Sequence, residues 1–349
     1  MLDYFGLNAD KLLKKRLWLF DLDGTIYNEN TLFPGAVSLL KSIKDSGGRY
    51  VFITNNSSKS VDDYISKVNM LGIEASYDNF FTSAQATAIW LKDNYPKSKV
   101  YCQGTQSLIS GLKMAGIDVT ESVEKVDVVL VGFDTELTTN KIAKTCEILS
   151  TQTVKYIATN PDLACPTKFG FVPDCGSICQ MIENATRRDP EFIGKPAATM
   201  VNIVCEKFNN ELEDVVVVGD RLYTDIATGL NAGTSTVCVL TGEATSDEIK
   251  TSQFKPQYTF QSVGDIEELF NIEGKSEETL KSIISARSVK ISNDISRLKN
   301  NCKLNDTTTL AQVIESLAVE YHIDTSHFDS LDEKAKEINR QLMWALRDL

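Results

Sequence analysis

Histidine is the scarcest functional side chain in this sequence: of 349 residues only His322 and His327 carry an imidazole, and both lie within the last thirty. A Ser-His-Asp or Cys-His relay, or a histidine-ligated metal, is therefore closed to the first three hundred residues. Acid–base work there falls to carboxylates, lysine or a hard metal held by oxygen. Other absences narrow the field. No apolar stretch approaches the roughly 18 to 20 residues of a membrane span, so no membrane is expected as a partner. The start of the chain, with Asp3 and a mixed segment from Asp10 to Arg16, lacks the basic-then-apolar order of an export signal. The eight cysteines include no C-x-x-C pair. That spacing disfavours a zinc site or a disulfide framework and fits reduced thiols in a cytoplasmic protein. Lysine and arginine number 36 against 48 acids, a net charge of −12, which disfavours a nucleic-acid backbone as partner. A phosphorylated ligand would have to be small and neutralised locally by a metal ion or a placed lysine.

Short runs rich in Val, Ile and Phe alternate with longer amphipathic segments. Leu17–Phe20, Arg49–Ile53, Val100–Gln103, Val126–Gly132, Lys155–Ala158, Val215–Gly219 and Thr236–Leu240 read as strands. Ala36–Ile43, Val61–Leu71, Ala84–Leu91, Leu108–Met114, Ile142–Leu149 and Ala197–Phe208 carry helical periodicity. This alternation predicts an α/β protein with parallel sheets and helical crossovers. Acids stand at strand tips on both sides of the middle segment, which has strand and helix signals of its own. The expected division is a first core part over 1–82, an inserted α/β domain over 83–185, a second core part over 186–274 and a helical extension over 275–349. In that extension Ile284, Ile291, Ile295 and Leu298 share a helical stripe, and Ser330 with Glu333 forms a capping-box pair.

Four clusters carry chemistry. The run Leu17-Trp18-Leu19-Phe20 ends in Asp21-Leu22-Asp23-Gly24-Thr25. Residues two apart on a strand share a face, so this pattern presents two carboxylates where a strand breaks into a loop. Alone, such a pair is as readily a solvated turn or a capping cluster. After Arg49–Ile53 comes Thr54-Asn55-Asn56-Ser57-Ser58, whose short donors at a helix start suit a phosphate oxygen, or simply an N-cap. Lys195 sits in Gly194-Lys195-Pro196, with Pro196 placed to open the next helix. A lysine held there could take a phosphoryl oxygen or balance an acid. Gly219-Asp220 ends another apolar run, and Asp225 follows. Asp21 and Asp220 could meet on one hard cation such as Mg²⁺, while Asp225 is equally suited to cap a helix or to orient a ligand from behind.

In this order the clusters resemble the haloacid dehalogenase (HAD) phosphatases: Asp21-Leu22-Asp23-Gly24-Thr25 the first motif, Thr54 the second, Lys195 the third, Gly219-Asp220 with Asp225 the fourth. Thr54-Asn55-Asn56-Ser57-Ser58, Ala158-Thr159-Asn160-Pro161-Asp162 with Cys165-Pro166, Gly176-Ser177-Ile178 and Ile193-Gly194-Lys195-Pro196 are similar to subclass IIA, the nitrophenylphosphatase, phosphoglycolate phosphatase and pyridoxal phosphate phosphatase relatives. The resemblance covers about Leu17 to Phe270. It implies a Rossmann-like HAD core with a parallel sheet, an inserted α/β cap, and Mg²⁺-dependent hydrolysis of small phosphorylated metabolites. On that reading Asp21 is the nucleophile and Asp23 the acid–base. Thr54, Asn55 and Lys195 bind phosphate, and Asp21, Asp220 and the Asp23 backbone carbonyl hold Mg²⁺, with Asp225 behind them. A phosphotransferase or mutase, and a phospho-accepting signalling domain, are the competing activities. Self-association through the cap or the C-terminal helices stays open.

Overall fold

The apolar runs assemble into two parallel sheets, described here from a computed structural model over residues 3–167 and 169–272. The helical stripes and the Ser330/Glu333 pair expected beyond residue 274, and both histidines, lie outside the described residues. Residues 11–267 form one compact unit. In the other, the Asp3 carboxylate closes a turn by accepting from the N–H groups of Phe5 and Leu7 at 3.0 and 2.7 Å.

Strand β1 (Leu17–Phe20) is followed by the hairpin β2 (Tyr27–Asn28) and β3 (Thr31–Leu32), then α1 (Ala36–Asp45), β4 (Arg49–Thr54), α2 (Val61–Met70), β5 (Phe80–Thr82) and α3 (Ser83–Asn94). The middle segment supplies β6 (Lys99–Gln103), α4 (Gln106–Met114), β7 (Asp118–Thr120), β8 (Val128–Val131), α5 (Thr139–Thr151) and β9 (Lys155–Ala158). It continues with the hairpin β10 (Ala164–Thr167) and β11 (Gly170–Pro173), then α6 (Cys175–Thr186) and β12 (Glu191–Phe192). The chain then returns through α7 (Thr199–Phe208), β13 (Val215–Gly219), α8 (Ala227–Ala232), β14 (Ser235–Val239), α9 (Ser246–Thr251), β15 (Tyr258–Phe260) and α10 (Val263–Ile272).

The first sheet runs β15-β14-β13-β1-β4-β5 and the second β12-β9-β8-β6-β7, with every pairing parallel. The second sheet thus takes in Glu191–Phe192, beyond residue 185 where the sequence reading closes the insertion. Helix α3 serves both layers, with Ala86 in the core of the first and Ala88 and Leu91 in that of the second.

Why β1 sits at the centre follows from its composition. All four residues are fully buried, which only a strand covered on both faces can tolerate. Leu17 and Leu19 pack with Val51, Val215 and Val217 under Met200, Val201 and Val204 of α7. On the opposite face Trp18 stacks on Phe20, while Phe52 and Phe80 continue an aromatic layer that reaches Tyr64 of α2. From β1 the chain builds outward to β4 and β5 on one side and later to β13, β14 and β15 on the other. The β1/β13 boundary is therefore the point where strand order reverses, and open α/β sheets bind ligands beyond the strand ends there. No helix among the described residues is long and apolar enough to cross a membrane.

Leu19→Ala should remove contacts from the middle of this sheet and destabilise the protein by about 2–5 kcal/mol. Urea unfolding followed by fluorescence, with Trp18 buried beside the mutated position, measures the effect; a midpoint equal to the parent's would contradict the packing described.

Candidate functional site

Parallel pairing brings the acids together. The register Leu17↔Val215 to Phe20↔Val218 makes the residues after β1 and β13 leave the sheet side by side. The Asp21 N–H donates to the Val218 carbonyl at 2.9 Å. Two glycines make room for Asp220. Gly24 has φ +87°, and a Cβ there would stand 2.5 Å from Asp220 Oδ2; at Gly242 the same atom would be 1.9 Å away. With backbone this close, the Asp220 carboxylate accepts from the Glu243 N–H at 2.8 Å and from Thr25 Oγ1 at 3.3 Å.

Lys195 arrives on the chain returning from β12. Asn55 grips its peptide at both ends: the Lys195 N–H donates to Asn55 Oδ1 at 2.8 Å, and Asn55 Nδ2 donates to the Lys195 carbonyl at 2.9 Å. The lysine side chain then runs buried to the acids, where Nζ donates to Asp21 Oδ1 at 2.5 Å, to Asp225 Oδ1 at 2.6 Å and to the Ile53 carbonyl at 3.3 Å. The other oxygen of Asp225 accepts from the Arg221 N–H at 3.1 Å. Carboxylate oxygens of Asp21, Asp220 and Asp225 lie within 4.8 Å of one another.

Three carboxylates face one ammonium. Burial pushes the Asp21 carboxyl up to about 8 against the pull of Lys195, and the neighbouring Asp225 and Asp220 add to the rise. Burial likewise raises Asp220 to about 6, with Asp225 next in effect. For Lys195 burial opposes the charge, but Asp21 and Asp225 outweigh it and its pKa is raised. With all three carboxylates ionised the set is two positive charges short of neutrality. Its donors are all oxygen, the set a hard divalent cation takes.

The expected site residues divide into two groups. Asp21, Lys195, Asp220 and Asp225 form the buried cluster. Asp23 and Thr54 line the cleft above it, a space of about 550 Å³ between the two sheets' layers. The Asp23 side chain is 56% exposed, with Lys67 Nζ at 3.8 Å and the Tyr27 hydroxyl at 3.5 Å. The Asn55 side chain is engaged within the protein: Nδ2 also reaches both oxygens of Asp162 at 3.1 Å. That leaves its side chain no spare donor for phosphate. Two capping readings are also replaced. The N-cap of α2 is Ser60, in a capping box with Asp63, so the Thr54–Ser58 loop has no such duty. Asp225 lies within the wide helical turn Leu222–Ile226 and is bound to Lys195 rather than capping α8. Helix α7 begins at Thr199, later than Pro196 suggested, because the Gly194–Ala198 turns hold Lys195 first. The sequence reading gave no contact to Asp162 and left Arg221 and Gly242 without a role. A hint lay in Arg221 directly following a strand-tip acid; for Gly242 nothing local in the sequence points at Asp220.

Residues 18–118 match the haloacid dehalogenase-like hydrolase family, and residues 192–266 a second HAD-like hydrolase segment. An acid sugar phosphatase of Staphylococcus saprophyticus is 35% identical over 251 residues, 72% of this chain and 96% of that protein. Among solved structures, a 4-nitrophenylphosphatase of Thermotoga maritima is 37% identical with a TM-score of 0.71, covering 74% of this chain and 98% of its own. NagD from E. coli K-12 is 33% identical with a TM-score of 0.66, covering 72% and 97%. The chain belongs to the haloacid dehalogenase-like hydrolases, and within them to subclass IIA with its nitrophenylphosphatase and NagD neighbours.

Asp21 and Asp220 hold protons in the folded state that they release on unfolding above the ordinary carboxylate value of 3.8. The stabilisation is complete below that value and is lost as pH rises through about 6 and about 8. With chelator present, thermal midpoints should therefore fall between about pH 5 and pH 8, and Asp21→Asn should flatten the decline. Midpoints that rise over this range would contradict the charge balance described.

Proposed function

We propose that the protein is a magnesium-dependent phosphatase that hydrolyses small-molecule phosphomonoesters through an aspartyl-phosphate on Asp21. The observation that carries this reading is the meeting of Asp21, Lys195, Asp220 and Asp225 in one buried cluster at the β1/β13 switch point, under a cleft. A signalling domain that only accepts phosphate has no evident need of a roofed cleft. The names of the relatives support hydrolysis: an acid sugar phosphatase and a 4-nitrophenylphosphatase.

An oxygen of Asp21 attacks phosphorus and the ester P–O bond breaks. Asp23, on the open side of the cleft, gives its proton to the leaving oxygen. It then takes a proton from the water that attacks phosphorus and frees Asp21. A carboxylate nucleophile thereby replaces one difficult displacement with two easier ones. Lys195 fixes one oxygen of Asp21 and carries positive charge to the site of phosphoryl transfer, where preorganised charge contributes most. Thr54 offers its hydroxyl to a phosphoryl oxygen. Asn55 acts by holding the Lys195 peptide. Asp21, Asp220 and the Asp23 carbonyl would hold Mg²⁺, with Asp225 steadying Lys195 beside them. The bound ion supplies Lewis-acid stabilisation of charge on the phosphoryl oxygens. The layer on the second sheet acts as a cap that shields the reaction from water.

Asp21→Asn should reduce phosphate release from nitrophenyl phosphate by at least about 10³-fold, and Asp23→Asn by about 10²–10⁴-fold. Turnover by the Asp21 variant at the parent rate would end this proposal. Because Mg²⁺ must displace the protons that Asp21 and Asp220 retain, its affinity should increase with pH between about 6 and 8, with proton release on binding. Calorimetry in buffers of different ionisation enthalpy reads both; affinity indifferent to pH would place the ion elsewhere.

A further inference from the structure

We propose that Asp174 selects the leaving group, its carboxylate accepting a hydrogen bond from a substrate hydroxyl and turning away a second anion. The inference rests on the phosphomonoester reading above and adds to it a polyol preference with a residue that enforces it.

Asp174 lines the cleft from the cap side and is only 4% exposed. Its Oδ1 accepts from the N–H of Cys175 at 2.5 Å at the start of α6. Its Oδ2 takes no hydrogen bond among the described residues. Its backbone is anchored on both sides. Its own N–H donates to the Leu163 carbonyl at 3.0 Å, and Gly176 lets α6 approach the Pro161–Asp162 backbone so closely that a Cβ there would lie 2.2 Å from the Pro161 oxygen. Neighbouring Asp162 is engaged by Asn55 at both oxygens, so of the two cap carboxylates lining the cleft Asp174 is the one with an oxygen that takes no hydrogen bond among the described residues.

The charges around it set the sign of the preference. Among the described cap residues that line the cleft, Asp162 and Asp174 are the charged ones, and no lysine or arginine faces them from that wall. On the opposite wall Arg221 is tied to Glu243 at 3.0 Å, which also accepts from the Tyr223 hydroxyl at 3.2 Å, Lys67 stands 3.8 Å from Asp23, and Lys59 lines the cleft beyond them, so the positive charge lies on the wall away from Asp174. A leaving group with a hydroxyl fills the open acceptor of Asp174. A carboxylate in its place meets like charge and leaves that acceptor unsatisfied.

Glycerol 3-phosphate and 3-phosphoglycerate differ by one hydroxymethyl against one carboxylate and form the test pair. Burial pushes Asp174 up to about 7, so assays belong at pH 8 with Mg²⁺ saturating. The parent should prefer glycerol 3-phosphate in kcat/KM by about tenfold or more. Asp174→Asn and Asp174→Ser both retain an N-cap for α6, and both should shrink the ratio at least severalfold. A parent ratio of one or less, or variants that keep the parent ratio, would overturn the role of Asp174. Failure to release phosphate from either ester and from nitrophenyl phosphate would instead overturn the phosphatase reading beneath it.

Discussion

One buried ammonium held between two carboxylates is the interaction on which the rest of this structure turns. Lys195 Nζ lies 2.5 Å from Asp21 and 2.6 Å from Asp225, and it reaches them from a part of the chain separated from Asp21 by the whole inserted layer. Desolvating such a group costs several kcal/mol unless its partners are fixed. Here they are fixed by the sheet. The β1–β13 register sets Asp21 beside Asp220, and the turn after β13 folds Asp225 back onto the Arg221 N–H. Cutting any of these supports would leave a charge buried without its counterpart.

The same cluster explains why glycine appears where it does. Gly24 and Gly242 bring backbone to within van der Waals reach of Asp220, and Gly219 does the same for Asp225, whose Cβ would lie 2.3 Å from an added side-chain carbon. Close backbone lets N–H groups and hydroxyls address the carboxylates directly. It also leaves the Asp21 side chain only 16% exposed at the floor of the cleft, while that of Asp23 is 56% exposed. One pair of acids in a single short motif is thus split between two environments of one cleft, one mostly buried and one exposed, a difference that can set two carboxylates to different chemical tasks.

Much of this was legible in the sequence because it is written locally. The unbroken apolar runs of β1 and β13 announce strands covered on both faces, and their terminal acids mark the tips. Strands of two or three residues, such as β5, β7, β12 and β15, leave too short a run for periodicity to register, and they are edge or near-edge elements placed by their neighbours. The boundary near residue 185 falls short for this reason: Glu191–Phe192 becomes a strand only by pairing with β9. The part of Asn55 was hidden for a different cause. Its amide is oriented by Lys195 and Asp162, which lie 140 and 107 residues away, and no spacing rule encodes such a contact.

Asn55 also shows how the two layers are joined. The loop after β4 meets the inserted layer through a buried polar seam: Ser57 Oγ and Thr159 Oγ1 at 2.9 Å, the Phe133 N–H to Ser57 Oγ at 3.0 Å, and Asn160 Nδ2 to the Asn55 carbonyl at 2.8 Å. An apolar interface would tolerate sliding. Directional bonds fix one register, because each misplaced donor forfeits its partner in a place water does not reach. The seam therefore makes one arrangement of the two layers specific. Since the Lys195 peptide hangs from the same Asn55, one residue takes part both in joining the two layers and in placing the ammonium.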